Sequence, residues 1–73
     1  PATTIAYSIP QDVKVKLAIY NLAGQKVAEL VNQNQIAGDY RVQWNATDVA
    51  SGIYYYRMKA GKYVAAKQCL LIK

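Results

Sequence analysis

The side chains of this chain that could carry out chemistry are few and widely spaced. There is one cysteine, Cys69, and no histidine, which excludes the Ser-His-Asp and Cys-His arrangements of nucleophilic enzymes. Glycoside hydrolysis needs two carboxyl groups that face one sugar-sized cleft, and a metal site needs clustered ligands. The four acidic residues show neither pattern, because they are scattered along the chain: Asp12, Glu29, Asp39 and Asp48. The sequence therefore predicts a domain that is not an enzyme and has no catalytic residue, cofactor or metal.

Three consecutive tyrosines, residues 54–56, are the most unusual feature of the chain. On a β-strand, successive side chains point to opposite faces of the sheet, and the face that carries the two basic residues following the tyrosines should meet water. We therefore expect Tyr54 and Tyr56 to bury their rings, with their hydroxyl groups reaching the edge of the core. Only Tyr55 should remain as a surface aromatic.

A second tyrosine, Tyr20, is predicted on the charged face of its own strand, beside Lys14 and Lys16. Tyr20 and Tyr55 could together form a ligand patch on which sugars or bases stack. Packing between neighbouring strands is the commoner explanation for exposed tyrosines on a sheet. Both interpretations stay open at the level of sequence.

The length and composition indicate one small domain over residues 1–73. With 53% hydrophobic and 18% charged residues, the chain is too apolar to be disordered, and no apolar run is long enough for a membrane span.

Cys69 has no partner for an internal disulfide, so a passive, partly buried thiol is expected. Because the first residue is proline rather than methionine, we expect the chain to be a fragment of a larger protein.

The formal net charge of +5 is spread along the chain without a basic run. The simpler interpretation is a well-solvated outer face. The alternative is weak attraction to anionic polymers such as acidic polysaccharide or nucleic acid.

Apolar residues recur with a period of two, which is typical of half-buried β-strands. Strands are predicted around 5–9, 13–20, 40–44, 53–60 and 63–72. The segment 26–31 is less regular, since Val27 and Leu30 are three residues apart, and this predicts a bulge or a strong twist. Turns are predicted at 10–12, 21–24 and 60–62, with Gly24 at a positive φ, and polar loops at 32–38 and 46–52.

Together with the irregular segment 26–31, these make six short strands at about ten-residue spacing, which predict a small antiparallel β-sandwich of six to seven strands. Trp44 would lie between the two sheets, and a closed barrel is the alternative. In the last strand the alternation is imperfect, so a bulge near Cys69 or burial on both faces is expected. The side chains predicted to point inward there are Val64, Ala66, Leu70 and Ile72, with Lys67 and Lys73 in water.

Five segments resemble, in order, the motifs of one family. They are PATTIAYSIP (1–10), VKLAIYNLAGQKV (15–27), AGDYRVQWN (37–45), SGIYYYRM (51–58) and KQCLLIK (67–73). The set is similar to the C-terminal sorting domains of bacterial type IX secretion (type A, Por secretion system family). Two residues depart from the family pattern: Met58 stands where leucine is usual, and Cys69 is an unusual occupant of the last strand.

The resemblance implies an immunoglobulin-like sandwich, similar in fold to the flagellar hook-capping protein domain, at the end of an exported hydrolase or adhesin. Such a domain would be a secretion signal that the outer-membrane translocon recognises, usually with sortase processing. The parent would be secreted or held at the cell surface, by way of the periplasm and outer membrane. The family's recognition elements would correspond to Gly52, Tyr54, Lys67 and Lys73. An accessory carbohydrate-binding module and a structural spacer are the alternatives.

Overall fold

The alternating segments form six β-strands and no helix among residues 2–47 and 49–71, which are the residues that the computed structural model describes. The predicted six strands are thus confirmed. Within these ranges no helix has the length and hydropathy that crossing a membrane requires. The strands are β1 (Ala2–Ile9), β2 (Val13–Tyr20), β3 (Lys26–Gln35), β4 (Gly38–Asn45), β5 (Gly52–Ala60) and β6 (Tyr63–Leu71).

The strands pair in two antiparallel sheets, which makes the domain a β-sandwich of the immunoglobulin-like type. One sheet contains β1 and β4, and the other has the order β3-β2-β5-β6. The predicted sandwich is confirmed and the barrel alternative is wrong, because the described strands do not close into one continuous sheet. The turn between β5 and β6 is only two residues long, whereas three other connections carry the chain from one sheet to the other.

The core lies between the sheets, and β2 contributes its most buried part. Val15, Leu17 and Ile19 are fully buried, as expected for branched residues at alternate positions of a central strand. From the two-stranded sheet, Trp44 packs its ring edge-on against Tyr54, with 5.3 Å between ring centroids. Trp44 therefore fills the space between the sheets, as its sequence context predicts.

The predicted irregularity of 26–31 is confirmed as two bulges in β3. The pairing of β2 with β3 steps from Leu17–Val31 to Ala18–Glu29, and again between the partners of Ile19 and Tyr20. One residue of β3 is left without a direct partner at each step. The extra residues let neighbouring side chains of β3 turn toward the core on both sides of Glu29, and the partly buried ones are Val27, Ala28 and Leu30.

The turn between β2 and β3 forms as predicted around Gly24. Its φ is +85°, a left-handed conformation in which a Cβ is unfavourable. The Asn21 carbonyl accepts a hydrogen bond from the Gly24 amide at 3.0 Å. The Asn21 side chain accepts two more, from the amides of Ala23 and Gln25, so this hairpin is closed by local hydrogen bonds.

The predicted polar loop at 32–38 is wrong over its first half. Residues 32–35 continue β3 and pair with 13–16 of β2. Polar side chains are tolerated there because β3 is an edge strand, and the Tyr7 hydroxyl donates a hydrogen bond to Gln35 Oε1 at 2.6 Å. The true connection is only Ile36 and Ala37, and the Asp12 carboxylate accepts a hydrogen bond from the Ala37 amide.

The predicted faces of the last strand are also wrong. Leu70 is 64% exposed and Val64 is 48% exposed, whereas Leu71 is 4% exposed. Ala66 is exposed too, and Ile72 lies outside the described residues. The expected bulge near Cys69 is absent from the described part of β6, which pairs with β5 in continuous register. That register places the odd-numbered residues of β6 on the face that points toward the core.

The two adjacent leucines of β6 provide a matched test of these faces. Leu71→Ala should lower the free energy of unfolding by about 2–5 kcal/mol, because it removes buried methyl groups and leaves a cavity. Leu70→Ala should change it by only about 0.5 kcal/mol, as is usual for exposed positions. Thermal unfolding followed by circular dichroism measures both. A larger loss for Leu70→Ala than for Leu71→Ala would contradict the assigned faces.

Candidate recognition surfaces

Tyr54 is held in the core as a structural anchor. Its ring is buried against Trp44, and its hydroxyl donates a hydrogen bond of 2.7 Å to the carbonyl oxygen of Ala50. On β5 it lies directly opposite Cys69 of β6. Tyr54 thus fixes both the loop before β5 and the neighbouring edge strand, and the inward orientation predicted for it and for the half-buried Tyr56 is confirmed.

Gly52 begins β5 in a conformation that other residues rarely adopt. Its φ is +154°, and a Cβ built there would meet no atom within 4 Å. The constraint is therefore one of backbone conformation and not of space. Gly52 pairs with Leu71 at the end of the sheet, so its effect on β6 is to set where the pairing begins.

Lys67 lies in the middle of β6 and is exposed, as predicted for it. It is opposite Tyr56, and its side chain lines a groove of 200 Å³ between β6 and residues 5–8 of β1. Lys67 therefore lies beside the opening between the two sheets. Lys73, the other predicted recognition lysine, lies outside the described residues.

The edge strand β6 also carries a surface that sequence reasoning missed. Tyr63 is 59% exposed, and it adds to the exposed Val64 and Leu70 already described. In the sheet order only β5 pairs with β6, so one backbone edge of this strand is free within the described part of the chain. The signal in the sequence was present but ambiguous, because three consecutive apolar residues at 70–72 fit either phase of alternation.

The structure brings Tyr20 and Tyr55 together. They are direct partners across β2 and β5, on the outer face of the four-stranded sheet, and Tyr55 is 38% exposed. Two residues further along each strand, Ala18 faces Arg57, and beyond them Lys16 faces Lys59. The pairing of two lysines could not be read from the sequence, because it depends on the register between distant strands.

Cys69 is half-buried on the inner face of β6, as a passive thiol would be. Burial raises the pKa of the Cys69 thiol, which lowers the fraction of reactive thiolate at neutral pH. Among residues 2–47 and 49–71, no group of three or more Cys, His, Asp or Glu side chains could hold a metal ion. The one thiol of the chain is thus arranged for packing rather than for nucleophilic attack.

A cavity of 630 Å³ lies at one end of the sandwich, next to the turns that follow β1 and β5. Its lining is mostly apolar or neutral, and Lys62 is its one charged side chain. None of the predicted site residues contributes to it, and no carboxylate or thiol is among the residues that line it. The residues that line it are Ser8, Ile9, Pro10, Gln11, Val13, Ala60, Gly61, Lys62 and Tyr63.

The comparison with protein families gives one match that covers the whole sequence. The model of the family described as the secretion system C-terminal sorting domain matches residues 1–73. No curated protein and no solved structure matches this chain.

The hydroxyl of Tyr54 can be tested against that of its neighbour. Tyr54→Phe should lower the free energy of unfolding by about 1 kcal/mol, because the hydrogen bond to Ala50 is lost. Tyr55→Phe should leave it unchanged, since that side chain is on the outer face. Chemical denaturation of both variants supplies the measurement, and equal losses would argue against an anchoring role for Tyr54.

The raised pKa of Cys69 predicts slow alkylation. Iodoacetamide should react more slowly with the folded chain than with the chain in denaturant, and the pH midpoint of the rate should lie higher in the folded state. The rate should fall, and its pH midpoint should rise, because the thiolate is the attacking species and burial disfavours the thiolate. Rates measured between about pH 7 and pH 10 span the ordinary thiol pKa. A faster rate in the folded state would show an activated thiol instead.

Proposed function

Because this chain belongs to the family of secretion system C-terminal sorting domains, we propose that it is the signal by which the type IX translocon recognises its parent protein. A domain of this family is a sorting signal and not a catalyst, and its parent is secreted or attached to the cell surface by way of the outer membrane. The proposal adds the step of recognition: the folded domain docks on the translocon, and a sortase then processes the parent.

The observation that carries the proposal is the exposed edge strand β6. Most natural edge strands are short, charged or covered, because a free backbone edge readily pairs with another chain. β6 is nine residues long, and its outward side chains include Val64, Ala66 and Leu70. A strand of this kind is suited to bind a partner through backbone hydrogen bonds, with side-chain pockets adding specificity.

Lys67 supports the same use of the strand. A charge that points toward the core side of an edge strand is one device by which natural sheets avoid pairing with copies of themselves. Lys67 occupies such a position, opposite Tyr56 and beside the opening between the sheets. A receptor that offers an acidic group there would bind β6 favourably, whereas a second copy would bring another lysine.

Gly52 and Tyr54 enter this proposal as positioning residues. Gly52 sets the start of the β5–β6 pairing, and Tyr54 packs behind the strand opposite Cys69. Their substitution would displace β6 without removing any group that the receptor touches. Stability and export should therefore fall together for these two positions, whereas they should separate for exposed residues of β6.

Export of a reporter tests the proposal directly. Residues 1–73, with the parent's own upstream linker, are fused behind a periplasmic reporter in a bacterium that has type IX secretion. The reporter should appear at the cell surface or in the medium, and it should remain in the periplasm when the translocon is deleted. Retention in the periplasm of a strain that exports a known sorting domain would refute the proposal.

Two exposed leucines distinguish recognition from general surface properties. Leu70→Lys on β6 should reduce export by about tenfold or more, because an interface residue that is buried on binding is replaced by a charge. Leu22→Lys makes the same change in the turn between β2 and β3, where the side chain is also exposed, and should leave export unchanged.

Both variants should keep the unfolding temperature of the parent sequence, measured on purified domains. Equal export by the two variants would remove β6 from the recognition surface.

A further inference from the structure

We propose that the outer face of the four-stranded sheet binds an acidic polysaccharide. We define this basic-aromatic face by Tyr20, Tyr55, Arg57, Lys16 and Lys59. The proposal does not depend on the role in export. The basic-aromatic face is on the side of the sheet that points away from the core, and its side chains are not those of the β6 edge.

The cross-strand pair of Lys16 and Lys59 is the first observation. Residues directly opposite on neighbouring strands have Cβ atoms about 5 Å apart, and like charges there are destabilising. Both side chains are exposed. Neither lysine forms a salt bridge within the described residues, since the acidic partner Glu29 pairs with Lys26 instead, at 3.7 Å. A bound anion would relieve the repulsion that the fold leaves in place.

The shape of the face supplies the second observation. Ala18 lies between Glu29 and Arg57 in the row next to the tyrosines, and its small side chain forms the floor of a shallow depression of 250 Å³. Longer side chains form its rim. The lining residues are Lys16, Ala18, Tyr20, Lys26, Glu29, Arg57 and Lys59, of which four are basic and one is acidic. The depression is therefore electropositive and open to a ligand that lies flat on the sheet.

The tyrosine pair gives the face its third feature. Tyr20 and Tyr55 are direct neighbours across two strands, and the Arg57 row and the lysine row follow at steps of about 7 Å along the strands. Sugar rings have apolar C–H faces that stack on aromatic rings, and the carboxylates of uronic acid residues extend from the ring edges. Such a polymer can stack one ring on the tyrosines while its carboxylates reach Arg57 and the lysines.

Two other polyanions fit less well. Proteins that bind single-stranded nucleic acid follow its backbone along a basic groove with successive aromatic platforms, whereas this face is flat and has one pair of aromatics. A lipid surface requires apolar side chains that enter the boundary region of the bilayer. Here Val64 is opposite Lys59, and Gln68 lies between it and Leu70, which is opposite Ile53, so the apolar side chains form no continuous patch.

The test is affinity electrophoresis of the chain in gels that contain polygalacturonic acid, with neutral dextran as the reference polymer. Retardation is expected with the polyuronate at about 0.15 M salt, a concentration that screens exposed charges beyond about 8 Å, and not with dextran. Absence of retardation with polygalacturonic acid at this salt concentration overturns the proposal.

Two arginines give a matched pair for this assay. Arg57→Gln should weaken binding about tenfold, through loss of one charge-assisted contact. Arg41→Gln makes the same charge change on the outer face of the other sheet, where Arg41 is opposite Ala6, and should leave binding unchanged. Equal weakening by both variants would show that net charge alone causes retention, and it would overturn the proposed site.

Stacking is tested by Tyr55→Ala, which should weaken binding about fivefold or more. A fivefold loss corresponds to the lower limit of the free energy that one aromatic stacking contact contributes. Circular dichroism verifies that each variant is folded. Tighter binding of a poly-dT oligonucleotide or of anionic phosphatidylserine vesicles than of the polyuronate, in parallel titrations, would overturn the choice of ligand. Unchanged binding of Tyr55→Ala would likewise refute the proposed stacking.

Discussion

The association of the two sheets depends on side-chain burial, because no pair of hydrogen-bonded strands joins them in the described part of the chain. The two-stranded sheet covers the side chains of Val15, Leu17 and Ile19 on β2. The largest side chain that this sheet contributes to the core is that of Trp44. The edge-on contact of Trp44 with Tyr54 connects the sheets near the loop that enters β5. In a domain of this size the buried fraction of the surface is modest, so these few contacts carry most of the stability.

The sheets are unequal, and this inequality determines what the domain can offer to a partner. Two strands cannot cover four, and β6 receives only partial cover on its inner face, where Ala65 and Cys69 remain half-buried. The same strand has a free backbone edge and exposed Val64 and Leu70 on its outer face. Different strands thus provide stability and a surface for binding. The interior strands β2 and β5 contribute most of the buried core, whereas the edge strand β6 stays accessible to a partner.

The outer face of the four-stranded sheet follows a different principle from the core. Where β2 pairs with β5, most of its residues are long, charged or aromatic, and two cross-strand pairs join residues of the same kind, Lys16 with Lys59 and Tyr20 with Tyr55. Burial does not select for such an arrangement, and electrostatics alone disfavours the lysine pair. The arrangement of this surface is therefore explained by neither packing nor favourable electrostatics within the domain, which is why we propose it as a binding face.

Much of the fold was predictable from local pattern. Apolar residues at every second position indicate that a strand forms, and they also show which of its faces is buried. That logic correctly assigned Tyr54 inward and Tyr55 outward, and from the irregular spacing of Val27 and Leu30 it predicted a bulge or a strong twist, which the structure shows to be bulges. It failed at residues 32–35, where polar side chains form a strand because β2 supplies the hydrogen-bonding partner and water surrounds the edge.

From the sequence, the period-two pattern predicted six strands and favoured a sandwich with Trp44 between its sheets, and the ordered motifs indicated the family. Only the tertiary structure decided the faces of β6, because consecutive apolar residues fit both phases and the register with β5 selects one of them. It alone also placed Lys16 opposite Lys59 and Tyr20 opposite Tyr55. Local periodicity describes each strand separately, whereas the pairing of strands some forty residues apart along the chain is set by the packing of the whole core.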